Sequence, residues 1–337
     1  MPSGETTMGA SPKPSPSRQP LRLVSTKGMG REDWLRVRKN GIGSSDAAAA
    51  VGLNPYQSML ELWLIKTGRD ADLPKIDPTD DSHPTYWGTL LEPFVAEYYT
   101  RHTGHRVRKV NAVLQHPEYP WMLANIDREI VGAPDVQILE CKTSGGFGTR
   151  LWKDGVPEYV QVQVQHQLAV TGRQAADVCV VLGGQEARIH RIERDDELIA
   201  HLIELERRFW HYVETDTPPP ADGSDSAAQA LQALYPRDLG VSIDLSEDPA
   251  MTEAFTRLVA LRSELAEKEK QEALLKQTLQ QRMGDASRAC FLDGEITWKR
   301  TKDVRSVDLG LLARERPELI DAYPLIRPGV RRFVIST

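Results

Sequence analysis

The sequence predicts an α/β fold in which a central mixed sheet is flanked by helices and followed by a helical and hairpin C-terminal region. Three observations predict it. Apolar residues recur at helical spacing through much of the first hundred residues. Extended stretches then follow one another at 107–115, 122–131 and 136–143. A helix-patterned crossover at 157–171 separates these from strands at 178–182 and 188–192, the arrangement by which a sheet gains a parallel neighbour.

Taken in order, residues 1–30 read as a disordered arm. Ser11-Pro12-Lys13-Pro14-Ser15-Pro16 offers no core-forming side chain. The main domain spans 31–216. Within it, 34–39 and 45–51 are helical in pattern, and 58–65 continues helically until Gly68. Residues 70–86 form an acidic, proline-containing loop, and 90–101 carry Leu91, Val95 and Tyr98 at helical spacing. After the strands, 195–214 is a helix with Leu198, Leu202, Leu205 and Phe209 on one stripe. A linker spans 217–247, opened by Thr217-Pro218-Pro219-Pro220. The region 248–337 begins with a long mixed-charge helix, 248–283. Its Phe255, Leu258, Val259, Leu265, Leu275 and Leu279 suit helix pairing or self-association rather than chemistry. A hairpin follows, 289–292 and 295–299 around Asp293-Gly294, then a basic finish with Arg327, Arg331 and Arg332.

Composition limits the function classes. Of 337 residues, 40% are hydrophobic and 27% charged, an ordinary globular balance. Cys141, Cys179 and Cys290 are too few for a disulfide framework or a four-cysteine metal site, and point to a reducing cytoplasm. No apolar run approaches the ~20 residues that span a bilayer, and no signal-peptide core stands at the N-terminus. No membrane partner is therefore expected. The net charge of −6 is unlike a small electrostatic nucleic-acid binder, but a basic groove can sit on an acidic body. Arg101, Arg106, Arg108 and Lys109 form such a run with no acid among them; it suits a DNA backbone and equally a solvated helix end with an edge strand.

Chemistry concentrates at Ile138-Leu139-Glu140-Cys141-Lys142. Positions two apart in a strand share a face, so Glu140 and Lys142 point together. Pairing Val131 with Val136 across Gly132-Ala133-Pro134-Asp135 sets Asp127 directly opposite Glu140. Two carboxylates that close repel unless a cation separates them, and hard oxygen donors suit Mg²⁺ or Mn²⁺. A slip of one residue would turn Asp127 away. Asp135 is the competing acid, but it falls in the turn, too far along the chain from Glu140.

Five segments in order carry a family resemblance. They are Arg38-Lys39-Asn40-Gly41-Ile42-Gly43-Ser44-Ser45-Asp46, running into Val51-Gly52-Leu53-Asn54-Pro55-Tyr56; Trp87-Gly88-Thr89-Leu90-Leu91-Glu92; Met122-Leu123-Ala124-Asn125-Ile126-Asp127; Glu140-Cys141-Lys142-Thr143; and Val156-Pro157-Glu158-Tyr159 with Gln163 through Gly172. With these the chain resembles the YqaJ-like viral recombinase nucleases, to which phage lambda exonuclease belongs, within the PD-(D/E)XK nucleases. The resemblance implies a restriction-endonuclease-like exonuclease domain over 31–216. It implies a metal-dependent 5′-to-3′ exonuclease of double-stranded DNA ends that leaves 3′ tails. The implied cofactor is Mg²⁺, or Mn²⁺. The implied partners are a single-strand annealing protein and further copies of the chain in a ring trimer, in the cytoplasm of a bacterial host.

Site roles follow from the same resemblance. Asp127 and Glu140 would ligate the metal together with the main-chain carbonyl of Cys141. Lys142 would position or activate the attacking water. Glu92 would complete the acidic site, and Gln163 would stand at its edge. Read by itself, Glu92 before Pro93 also suits the first turn of a helix. Arg38 and Ser45 match positions that grip a terminal 5′-phosphate, and Asn125 stands where the lambda-type enzyme has a serine. Alternative readings are a RecB-like or endonucleolytic relative, and an inactive DNA-end binder.

Overall fold

The computed structural model describes residues 19–75, 77, 79–146, 148–324 and 329–336. The Ser-Pro stretch 11–16 and Arg327 lie outside the described residues. The chain forms two compact units, one ending at Pro236 and one running from Arg237.

In chain order the first unit holds a strand at Leu21–Ser25 (β1), a helix at Arg31–Lys39 (α1) and a short strand at Ile42–Gly43 (β2). Helices follow at Ala47–Ala50 (α2), Met59–Lys66 (α3) and Pro84–Thr103 (α4). Strands come next at Arg106–Lys109 (β3), Ala112–Gln115 (β4), Met122–Ala124 (β5), Arg128–Val131 (β6) and Ile138–Ser144 (β7). The helix Glu158–Thr171 (α5) leads into strands Ala175–Leu182 (β8) and Glu186–Glu193 (β9), then helices Asp196–Glu214 (α6) and Asp225–Leu234 (α7). The second unit holds the helix Pro249–Met283 (α8), a hairpin of Arg288–Phe291 (β10) and Gly294–Thr297 (β11), and helices Leu309–Glu315 (α9) and Pro317–Ala322 (α10).

Two sheets organise the first unit. One has the order β1-β4-β5-β2, the other β3-β6-β7-β8-β9. In the second sheet β7 and β8 are parallel, joined by α5, and the other neighbours are antiparallel. Val160, Val164 and Leu168 of α5 pack with Leu114 and Met122 of the first sheet and with Ile138 and Val178 of the second. On the opposite face of the second sheet, Val95, Ala96 and Tyr99 of α4 cover Ile130, Leu139 and Cys179. The result is the expected mixed sheet flanked by helices. Among the described residues no helix is long and apolar enough to cross a membrane.

Several boundaries differ from the sequence reading. The extended stretches 107–115 and 122–131 each break in two, because the chain leaves one sheet for the other: β3 and β6 lie in the second sheet, β4 and β5 in the first. Asn125 marks the second break, its side-chain amide donating to the Ala112 carbonyl at 3.0 Å. The arm 1–30 is not wholly irregular. Leu21 pairs with Gln115 and Ser25 with Ala112, so β1 gains the ladder bonds that an isolated pentapeptide lacks.

The linker 217–247 contains α7, capped by Ser224, whose Ala230 packs with Leu60, Trp63 and Phe209. A small-residue face lets that helix seat closely on α3. The helix predicted over 90–101 starts earlier, at Pro84 behind His83, and runs through Pro93, which stands exposed within it and withholds only one backbone donor. The acidic loop therefore ends before Pro84. In the hairpin Phe291 pairs with Gly294, so the turn is Leu292-Asp293, one residue before the predicted Asp293-Gly294.

Candidate active site

The β6–β7 register is Arg128 with Leu139 and Glu129 with Ile138. One step further along that register, where β6 has not yet begun, Asp127 faces Glu140. The Asp127 carboxylate takes the place of a strand there, accepting the Cys141 backbone N–H on Oδ2 at 2.8 Å. Glu140 is 3% exposed. The Lys142 ammonium lies 2.7 Å from Glu140 Oε1.

Helix α5 supplies the rest of the shell. Gln163 Nε2 donates to Glu140 Oε1 at 2.6 Å, and its Oε1 accepts from Lys142 Nζ at 2.8 Å. Gln167 Nε2 donates to Glu140 Oε2 at 2.7 Å. These two glutamines stand four apart and share a helix face. Gln161 and Gln165 point elsewhere, donating to the carbonyls of Val156 and Glu193. Gln167 had no separate role in the sequence reading; its spacing from Gln163 is the signal that finds it.

The electrostatics follow from this crowding. Burial, and then the neighbouring Glu140 charge, push the Asp127 carboxyl far above the usual range, against the pull of the Cys141 N–H and Lys142. Burial alone would lower the Lys142 ammonium, but Glu140 and Asp127 hold it above its ordinary value, so it stays charged. Burial and the same two acids raise the Cys141 thiol, leaving only its peptide carbonyl as a usable oxygen or sulfur donor at neutral pH. Glu92 adds to the repulsion on Asp127, yet its own carboxylate is paired with Arg128, which also donates to the Asp127 carbonyl at 2.7 Å.

The Asp127 and Glu140 carboxylates with the peptide carbonyl of Cys141 make a hard-oxygen donor set, and the repulsion on Asp127 is what a divalent cation relieves. In that sense the residues fit Mg²⁺ or Mn²⁺. Among the described residues no group of three or more His, Cys, Asp or Glu side chains is arranged to hold an ion.

A second group forms where α1 meets α2. Arg38 Nη2 donates to Ser45 Oγ and to Asp46 Oδ1, both at 2.6 Å, and the guanidinium stacks on Trp34 at 4.7 Å. Lys66, 2% exposed in its side chain, donates to Asp46 Oδ2 at 2.7 Å. Burial opposes the Asp46 charge, but Arg38 and Lys66 together hold its carboxyl well below the usual range. A Cβ on Gly43 would lie 2.9 Å from Arg38 Nη2, so a side chain there would shift the guanidinium.

Arg38 and Ser45 are thus brought together. Asn125 is not committed to them, since its amide bonds the Ala112 carbonyl. Asp46 and Lys66 were missed as a pair because twenty residues separate them. Asp135 pairs with Arg191 at 3.1 Å, in keeping with a turn residue.

Both groups lie within the stretch of chain that matches a known family. Residues 33–174 match the model of the YqaJ-like viral recombinase domain. The chain is 35% identical over 321 residues to the uncharacterised protein YqaJ of Bacillus subtilis (strain 168), covering 93% of this chain and 97% of that protein. Among solved structures, the alkaline exonuclease LHK-Exo from Laribacter hongkongensis is similar over 55% of this chain and 93% of its own, with 25% identity and a TM-score of 0.44. A phage related exonuclease from Haemophilus somnus 129PT is similar over 54% of this chain and 99% of its own, with 14% identity and a TM-score of 0.37.

Proposed function

The chain belongs to the YqaJ-like viral recombinase family, and from that premise we propose that it is a metal-dependent deoxyribonuclease, a 5′-to-3′ exonuclease that enters duplex DNA at an end and leaves 3′ single-stranded tails. The observation that carries the reading is the meeting of Asp127, Glu140 and Lys142 at one point, set by the β6–β7 register. The exonuclease names of LHK-Exo and the phage related protein point the same way.

Asp127, Glu140 and the Cys141 carbonyl would hold Mg²⁺ or Mn²⁺. When bound, such an ion polarises a phosphate oxygen and lowers the pKa of water. The chain's own residues do the remainder. Gln163 and Gln167 fix both Glu140 oxygens, so the carboxylate cannot swing away. Lys142, 2.7 Å from Glu140, is placed to position or activate the attacking water and to offset charge on the phosphate. Glu92 rests on Arg128 beside the acid pair and completes the acidic rim. Arg38 is anchored through Nη2, and its guanidinium with the Ser45 hydroxyl would present a fork to a terminal 5′-phosphate. A single-strand annealing protein would take up the tail, and copies of the chain would assemble as a ring around the duplex.

The test compares a linear 5′-phosphorylated duplex with a covalently closed circle, in Mg²⁺, for the parent chain and Glu140→Gln. Loss of the linear DNA alone, and at least a ~100-fold slower loss with Glu140→Gln, is expected. Full activity of that variant, or digestion of the circle at an equal rate, overturns the reading.

A further inference from the structure

The chain carries a net charge of −6, yet one concavity gathers the opposite sign. A cavity of about 640 Å³ opens beside the start of β1, the outer strand β3 and the end of α5. Four cations line it, Arg22, Arg108, Lys109 and Arg173, against one acid, Glu129. That acid is already engaged. Its Oε2 accepts from Arg108 at 2.7 Å and its Oε1 from Arg173 at 3.1 Å, which fixes two guanidinium groups on either side of it. Arg22 and Lys109 are exposed and have no ion-pair partner among the described residues. Arg101, from the same basic run of sequence, pairs instead with Glu97 and does not line the cavity.

The place of the cavity is as informative as its charge. Ile126 in its wall directly precedes Asp127. Thr171, also in the wall, stands four residues beyond Gln167 on α5, about 6 Å along the helix axis. The cavity therefore adjoins the strand and helix that hold the acid pair, while none of its cations takes part in that pair.

Cations drawn from β1, β3 and the turn after α5 and spread around one hollow match an anion that repeats along a chain better than a single carboxylate. We propose that this cavity is a second subsite, which holds phosphodiester groups of a DNA strand away from the Asp127–Glu140 pair. The inference rests on the reading of the protein as a DNA nuclease, and deepens it by naming where the substrate is held outside the reacting bond.

The test uses the full chain in EDTA, so that no strand is cut. Binding of a labelled linear duplex is followed by fluorescence anisotropy between about 50 and 200 mM salt, where each lost phosphate contact removes about 0.9 from the slope of log K against log salt. The double variant Arg22→Gln/Lys109→Gln is expected to lose about 2 from that slope and several-fold in affinity. In Mg²⁺ its KM should rise with kcat unchanged at saturating DNA. Arg101→Gln removes one positive charge outside the cavity and should leave the slope as it is. An unaltered slope in the double variant overturns the subsite. So does an equal fall per charge with Arg101→Gln, which would make the effect one of total charge. A parent chain that binds no DNA overturns the subsite and the nuclease reading together, whereas binding with an unaltered slope overturns the subsite alone.

Discussion

Asp46 shows how much one buried carboxylate can organise. It stands between Arg38 and Lys66, and Lys66 has almost no access to water. Replacing Asp46 with alanine would leave that ammonium buried and uncompensated, a loss of about 3–5 kcal/mol. Urea unfolding of Asp46→Ala should show it, and Asp46→Ala/Lys66→Met should recover most of the loss. A small effect in the single variant would mean that Lys66 meets water or sheds its proton once Asp46 is gone. None of this is visible in the sequence, where twenty residues separate Asp46 from Lys66. Glu140 and Lys142 are different. Their relation is two residues of one strand, and the loop Gly132-Ala133-Pro134-Asp135 is short enough to set the facing register. Local spacing carries that information, whereas a contact across twenty residues and two helices has no period to read.

At the level of elements, α5 carries the most constraints. Gln163 and Gln167 face β7, while His166 faces β5 and α6. The His166 ring is fully buried, with Nδ1 2.7 Å from Glu206 Oε1 and Nε2 2.9 Å from the Leu123 carbonyl. Burial would lower its pKa, but the Glu206 charge and both hydrogen bonds raise it above 6.5. A histidine raised in the folded state stabilises fully below its unfolded pKa, and that contribution disappears as pH climbs through the folded value. The stability gap between the parent and His166→Gln should therefore be widest below about pH 6.5 and narrow above it. A gap independent of pH in urea titrations would mean that the ring is neutral throughout. The sequence makes α5 itself legible. It does not reveal that the strands before it are each divided between two sheets, since alternation continues smoothly through 107–115 and 122–131 while the chain changes partner at Asn125.

Across the whole molecule, burial is divided unevenly. The unit ending at Pro236 holds every fully buried side chain among the described residues, and the unit from Arg237 has none. A fragment ending at Pro236 should unfold in one cooperative step, whereas 237–337 alone should melt gradually by circular dichroism despite its 35-residue helix. A sharp transition in the second fragment would contradict this. The sequence reads 217–247 as a linker, whereas Asp225–Leu234 within it returns to the core as α7, because proline marks a turn whether or not the next helix folds back. The opening residues hold a similar lesson. Leu21–Ser25 closes the side of the first sheet against Ala112–Gln115, three of whose four residues are buried. Trimming the chain at residue 30 would bare a row of unpaired amides beside apolar side chains, an invitation to aggregate with other molecules. Light scattering of the trimmed protein should rise well before any change in its chemistry is measured.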